Sequence, residues 1–252
     1  MVETEGEESA PTFSEKLEKL LQKKEAREKA EWEALPETEK QKIIEEREQL
    51  AREQEAREKA EQRERKLENW KRRGITKRYF TAEWDNWIAD TPEKIKAITA
   101  AKMAWNTNLF FTGFNGTGKT HLAMCLAKDG AIYRRLPDIF REVRNTYDDS
   151  VTSYVPSAHL AFRNGSTESE ILDYYGECKL LIIDEIGRQK FTDFEINLFF
   201  EIIDRRWNNM LPTTIITNLT SEEFSELYNV AILDRLRPLE VLFNWESMRG
   251  KA

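Results

Sequence analysis

Hydrophobic positions follow one rhythm downstream of Gly74 and another upstream of it. Downstream, apolar runs of strand length alternate with segments of helical period. Asn108 to Thr112 precedes a helix from Lys119 whose periodic positions run from His121 to Lys128, and Ala131 to Leu136 precedes a helix from Asp138. Leu180 to Asp184 precedes a helix over Asp193 to Trp207, and Thr213 to Thr217 precedes one from Ser221. The alternation predicts an α/β fold, a parallel sheet with crossover helices on its flanks.

Upstream, Thr12-Phe13-Ser14-Glu15 has the form of a capping box, and Phe13, Leu17, Leu20 and Leu21 mark one face of a short helix. Pro36 interrupts it, and a second helical pattern runs from Glu37 to Arg73. Glu48/Arg52, Glu53/Arg57, Glu55/Lys59, Glu61/Arg65 and Glu68/Arg72 stand in the favoured i,i+4 order, each pair contributing roughly 0.2–0.5 kcal/mol to an isolated helix. Between Ala51 and Leu67 the only apolar residues are alanines, so a coiled-coil seam is missing. A solvated helix on the order of 50 Å long is expected, or one that finds its partner on another protein. The face of Phe13, Leu17, Leu20 and Leu21 is a candidate docking element; packing back on its own domain is the alternative.

Charge sharpens this division. Of the first 73 residues 39 are charged, against 46 of the remaining 179. The heptapeptide Glu-Ala-Arg-Glu-Lys-Ala-Glu, at Glu25 to Glu31 and again at Glu55 to Glu61, is charged low-complexity sequence without architectural weight. The organisation expected is a helical, highly charged partner-binding extension over 1–73, a basic and aromatic linker with a lead-in helix over 74–107, and a core over 108–252. The net charge of -7 lacks the basic signature of a constitutive nucleic-acid binder, so any DNA contact must be local. Trp70 to Phe80 mixes five basic residues with aromatics. That mixture suits single-stranded nucleic acid, and it equally suits a helix end with Gly74 as its C′ residue and cations near the negative dipole pole. Two cysteines, Cys125 and Cys178, are too few for a zinc ribbon or a disulfide scaffold. Met1 to Ala10 lacks the apolar core of a signal peptide and no run reaches membrane-spanning length; a cytoplasmic setting without membrane contact is expected.

The chemistry begins at Gly113-Phe114-Asn115-Gly116-Thr117-Gly118-Lys119-Thr120, which fits G-x-x-x-x-G-K-[ST] between a predicted strand and a predicted helix. Glycines at these places let backbone N–H groups turn inward on phosphates beside a helix N-terminus. Lys119 then reaches the β/γ-phosphates, and the Thr120 hydroxyl can ligate Mg²⁺. Leu180 to Glu185 is a buried-strand run ending in two acids: Asp184 to hold the metal with Thr120, and Glu185 to polarise the attacking water. Asn218, at the end of the run from Thr213, is either a sensor of the γ-phosphate on the adjacent strand or a turn residue. Arg235 and Arg237 lie on a helix or its exit, where an arginine can stabilise transition-state charge across a subunit boundary.

Together these segments, Asn108 to Ala123, Glu170 to Gly187, Asn197 to Asn218, Asp234 to Arg237 and Trp245 to Gly250, make the chain from about Gly74 to Arg249 resemble the DnaC/IstB group of AAA+ ATPases. That group comprises helicase loaders and transposition helpers. The resemblance implies a P-loop AAA+ core without a separate lid domain, since only about 15 residues follow Arg237. It implies ATP and Mg²⁺ as cofactors, with Lys119, Glu185, Asn218 and Arg235 catalytic. Gly113, Phe114, Asn115, Gly116, Thr117, Gly118, Lys119, Thr120, His121 and Asp184 would bind nucleotide, Thr120 and Asp184 the metal. Arg235 would be the arginine finger for a neighbouring subunit, with Arg237 an alternate, and Arg249 matches a C-terminal arginine. Asp149 to Thr167 corresponds to a DNA-facing insertion of replication-initiation proteins, although Arg163 is its only basic residue. The partners implied are a hexameric replicative helicase of DnaB type, single-stranded DNA, and further copies of the chain in a ring or spiral. A transposition helper, or an adaptor that uses nucleotide as a switch, are the alternatives.

Overall fold

The computed structural model of the chain describes residues 13–147, 166–187 and 191–248, with side chains from residue 18 onward. Phe13 and Leu17, most of the segment from Asp149 to Thr167, and Arg249 therefore lie outside the described side chains. Contacts divide the chain into a unit ending at Glu64 and a second beginning at Arg65.

In the first unit, helix α1 (Phe13–Ala34) and the start of helix α2 (Glu37–Arg72) are parted by Pro36. Leu20 and Leu21 are 65% and 51% exposed, and α2 has no buried residue along its whole length. Glu48/Arg52 and Glu55/Lys59 pair as expected, at 2.9 and 2.5 Å. Arg57 instead reaches forward to Glu61 at 3.1 Å, while Glu53 accepts from Gln49. Side-chain pairing and peptide hydrogen bonds thus hold this helix, with no apolar seam behind it.

The second unit opens on the last turns of α2. Gly74, at φ +88°, closes the helix: its N–H donates to the Lys71 carbonyl at 2.9 Å and that of Ile75 to the Trp70 carbonyl at 3.0 Å, a Schellman closure. The helix-end reading of Trp70 to Phe80 describes what this segment does within the chain. Trp70 packs on Phe80 at 5.6 Å and carries the ammonium groups of Lys66 and Lys128 at 4.8 and 4.4 Å from its ring centre.

Helix α3 (Pro92–Lys102) starts with Thr91 as N-cap and proline at its first position. Then follow β1 (Leu109–Gly113), α4 (Lys119–Asp129), β2 (Ile132–Arg135), α5 (Leu136–Arg144), α6 (Glu168–Glu177), β3 (Leu181–Ile186), α7 (Asp193–Asn208), β4 (Thr213–Thr217), α8 (Ser221–Tyr228), α9 (Val230–Leu236) and β5 (Leu239–Phe243). The sheet order is β2-β3-β4-β1-β5, and every pairing is parallel. Alternate side chains feed two cores. Leu109, Phe111, Ile182 and Ile216 face a cluster with α3 and α4, while Phe110, Leu181, Ile183 and Ile215 face one with α5 through α9. Burial on both faces is what makes the strands read as continuous apolar runs.

Three features were not in the sequence reading. β5 is an edge strand with two partly exposed leucines, and α6 is a ten-residue helix begun by a Thr167–Glu170 capping box. The acid-tipped strand also continues past Asp184 to Ile186: Ile183 pairs with Ile215 and Ile186 with Thr217, so β3 carries one residue more than β4 across that interval. Glu185 sits in this bulge at φ +61°. Among the described residues no element follows β5, and no helix is long and apolar enough to cross a membrane.

Candidate functional site

At the C-terminal end of β1 the chain makes the loop that joins it to α4. Gly113 has φ +115°, and a Cβ there would lie 2.3 Å from the Phe243 carbonyl oxygen; a Cβ on Gly118, at φ +96°, would meet the Trp87 ring at 2.2 Å. Glycine is therefore required at both positions by backbone angle and by space. The segment after β5 straps the loop: the Met248 N–H donates to the Gly116 carbonyl at 2.8 Å, and Trp245 Nε1 to that of Thr117 at 3.0 Å. Thr117 Oγ1 donates back to the Phe114 carbonyl at 2.8 Å. Phe114 itself is 65% exposed, so it contributes backbone, not side chain.

Lys119 is the first residue of α4, and its side chain folds under the loop. Nζ donates to the carbonyls of Gly113 and Phe114 at 2.7 and 2.8 Å and to Asn218 Oδ1 at 3.0 Å. Because an ammonium only donates, the amide oxygen must face it, and Asn218 Nδ2 then donates to Asn115 Oδ1 at 3.0 Å. Strand order explains the meeting, since β4 lies directly beside β1. Burial pushes the Lys119 ammonium down to about 8, against the pull of Asp184.

Asp184 sits one strand further out, buried, and each of its oxygens has partners. Oδ2 accepts from Thr120 Oγ1 at 2.9 Å and from the Tyr133 hydroxyl at 2.8 Å, and Oδ1 accepts from the Glu185 N–H at 2.6 Å. Glu185 lies 3.7 Å from Arg135, which also grips Asp138. A hydroxyl and one carboxylate fit Mg²⁺, which takes one or two carboxylates and completes its shell with phosphate and water. Among the described residues no group of three or more His, Cys, Asp or Glu could hold a metal without such help.

These residues line one cleft of about 1200 Å³. Asn115 through His121, Asp184, Glu185 and Asn218 come together there. His121 lies on the side toward the segment before α3: its Nε2 is 3.1 Å from the Glu83 carbonyl and its ring 6.0 Å from that of Trp87. Arg235 is elsewhere. On α9 it is bound to Asp204 Oδ1 at 2.5 Å and stacked 4.3 Å from the Phe200 ring centre, outside its own cleft. Arg237, at φ +40°, is 82% exposed and 3.8 Å from Asp234.

Sequence reasoning missed Tyr133, Arg135, Asp138 and the wall made by residues 76–88. Tyr133 and Arg135 sit on β2, which pairs in register with β3, Arg135 opposite Asp184. Polar side chains at the end of an otherwise apolar run beside the acid-tipped strand were the available signal. The wall carried none, because it is built from short 3-10 turns without a period.

Comparison with known proteins places this geometry. The family model described as IstB-like ATP binding protein matches residues 16–252. The replicative helicase loader DnaC of Escherichia coli K12 is 27% identical over 208 residues, covering 76% of this chain and 79% of that protein. The DnaI crystal structure superposes with a TM-score of 0.53 at 19% identity, over 69% of this chain and 94% of that one. A crystal structure of the DnaC helicase loader gives 0.52 at 19%, over 66% and 99%. The structural likenesses show the fold, a five-stranded parallel sheet flanked by helices, and the family match shows the family: the chain belongs to the IstB-like ATP-binding protein family.

Proposed function

We propose that the protein hydrolyses ATP in this cleft and uses the cycle to load a hexameric replicative helicase onto single-stranded DNA. The observation that carries the ATP half is the convergence of Lys119 and Thr120 at the start of α4, Asn218 just past β4 and Asp184 on β3. Loop N–H groups and the start of α4 hold phosphate oxygens. Lys119, already aimed inward, exchanges carbonyl partners for the β/γ-phosphates, and Asn218 orients its ammonium. Thr120 and Asp184 would hold Mg²⁺, which when bound neutralises charge on the β- and γ-phosphates. Glu185 takes a proton from the attacking water.

Turnover then needs a cation on the leaving side. Arg235 stands outside its own cleft, which suits a finger supplied to a second copy, so ATP binding would assemble copies into a ring or spiral. Similarity to a replicative helicase loader over 208 residues supports the choice of partner. The charged extension, with Leu20 and Leu21 exposed, is assigned to gripping the helicase.

The test mixes the purified full chain with the host's replicative helicase and circular single-stranded DNA. ATP-dependent appearance of helicase on DNA is expected, together with loss of helicase binding when Leu20 and Leu21 are both changed to Glu. Absence of any complex between full chain and helicase at micromolar concentrations would remove the loader assignment. Unchanged ATP turnover in Lys119→Ala would remove the catalytic one.

A further inference from the structure

Asp184 needs more than its strand to face the cleft. A carboxylate at a strand tip rotates freely about its last torsion unless both oxygens are engaged. One oxygen is engaged by the peptide N–H of Glu185. The other accepts two hydroxyls, those of Thr120 and Tyr133. Thr120 also has to offer its oxygen to a metal, so it cannot be the fixed point. Tyr133 comes from the neighbouring strand, at the wall of the cleft, and is 7% exposed.

The phenol is itself held from its backbone. Tyr133 N–H donates to the Arg73 carbonyl at 2.8 Å, where α2 ends. A Cβ on Gly74 would lie 2.0 Å from the Tyr133 carbonyl oxygen, so the two segments touch without spare room. Arg134 adds a bond from Nη2 to the Arg72 carbonyl at 3.0 Å. Register completes the arrangement: Tyr133 lies beside Ile182, and both face the α3/α4 core, as Asp184 does two residues on.

We infer that Tyr133 is the positioning residue for Asp184, fixing the carboxylate rotamer that receives Mg²⁺ with ATP. The inference rests on the ATP reading above and goes beyond it in naming a residue outside the loop and the acid tip. Groups that orient a metal ligand from behind typically change metal affinity by about 10–100-fold when removed.

The experiment uses the full chain and Tyr133→Phe, which removes one oxygen and keeps the ring. Binding of a fluorescent N-methylanthraniloyl ATP is measured in EDTA and across a Mg²⁺ titration, and turnover is followed over the same titration. In EDTA the two proteins should bind alike, which also shows the variant folded. In Mg²⁺ the half-saturating metal concentration should rise by about tenfold or more in the variant. Coincident Mg²⁺ titrations would overturn the inference, leaving Tyr133 a buried hydroxyl with a convenient acceptor. Equal weakening in EDTA and Mg²⁺ would overturn it too, since the residue would then serve the fold. Failure of the unaltered chain to bind the analogue would instead defeat the ATP reading.

Discussion

Replacing Asn218 with Ala tests the site where its geometry is most complete. The Lys119 ammonium has three N–H bonds and three acceptors, at 2.7, 2.8 and 3.0 Å, and the substitution removes the last of them. A hydrogen bond to a charged group contributes about 1.5–3 kcal/mol when nothing replaces it. Here the cleft opens to solvent, so water takes the vacated position and the ground-state loss should fall to about 1 kcal/mol, roughly fivefold in ATP affinity. The transition state is different, because charge on the transferring group must be met by donors already in place. Loss of one such donor typically costs about 10²–10³ in kcat; removing Asn218, the acceptor that aims the Lys119 ammonium, should approach the lower end of that range. Stopped-flow binding of a fluorescent ATP analogue and a coupled phosphate-release assay separate the two quantities. Asn115→Ala is the companion variant, removing the partner that orients the Asn218 amide and keeping the loop backbone that faces the phosphates. It should lower turnover less than Asn218→Ala, with a coupling between the two of about 0.5–1.5 kcal/mol. Weakened affinity with an unchanged kcat for Asn218→Ala would refute the argument, because Asn218 would then serve nucleotide binding alone.

The ammonium of Lys119, pushed down to about 8 by burial, should regain its ordinary basicity against phosphate. ATP binding therefore takes up a proton above pH 8, and affinity falls as pH rises through that value; calorimetry at pH 8.5 in buffers of different ionisation enthalpy detects this, and buffer-independent heats would contradict it. Arg235→Ala should leave ATP affinity nearly unchanged and lower turnover by about 10³–10⁵, the range for a supplied arginine. Mixing it with Glu185→Gln should restore part of the activity, since one copy keeps an intact cleft and the other an intact finger, and a mixture as inactive as its parts would place the arginine's role elsewhere. Glu185→Gly should abolish turnover yet raise stability by about 1 kcal/mol, because a non-glycine residue at φ +61° costs roughly that much. Urea unfolding measures it, and a destabilised variant would mean that the Glu185 side chain supports the fold.

How far the site was legible in the sequence depended on whether its signal was local. The loop from Gly113 to Thr120 is a fixed string whose glycines answer local backbone angles, and the four runs Asn108 to Thr112, Ala131 to Leu136, Leu180 to Asp184 and Thr213 to Thr217 are buried on both faces, so all could be read without a fold. β5 could not, because an edge strand with Leu239 and Leu242 partly exposed has no continuous apolar run. Tyr133 was hidden for another reason. Its importance exists only once β2 is placed next to β3, and strand order is a property of the whole sheet. Asn218 lay between these cases: its place at the end of a strand was visible, but its bond to Lys119 depends on β4 lying beside β1.

The tip of β3 shows how two adjacent acids can be noticed in a sequence while their geometry is not. Two consecutive residues of a regular strand point to opposite faces. By that rule Asp184, following Ile182, belongs to the α3/α4 side with Thr120, and Glu185, following Ile183, would be sent into the apolar core beneath α5 and α7. Both acids nevertheless line the same cleft. The bulge reconciles these requirements: one residue beyond the β4 register, with Glu185 in the left-handed region, turns its carboxylate back toward the cleft and leaves Ile186 to enter the core that Glu185 would have entered. Ile186 is 2% exposed and grouped with Ile183, although a regular strand would have placed them on opposite faces. Adjacent acids that face one cleft therefore demand an irregular strand, and the left-handed backbone at Glu185 is the physical consequence of turning two neighbouring side chains to the same side.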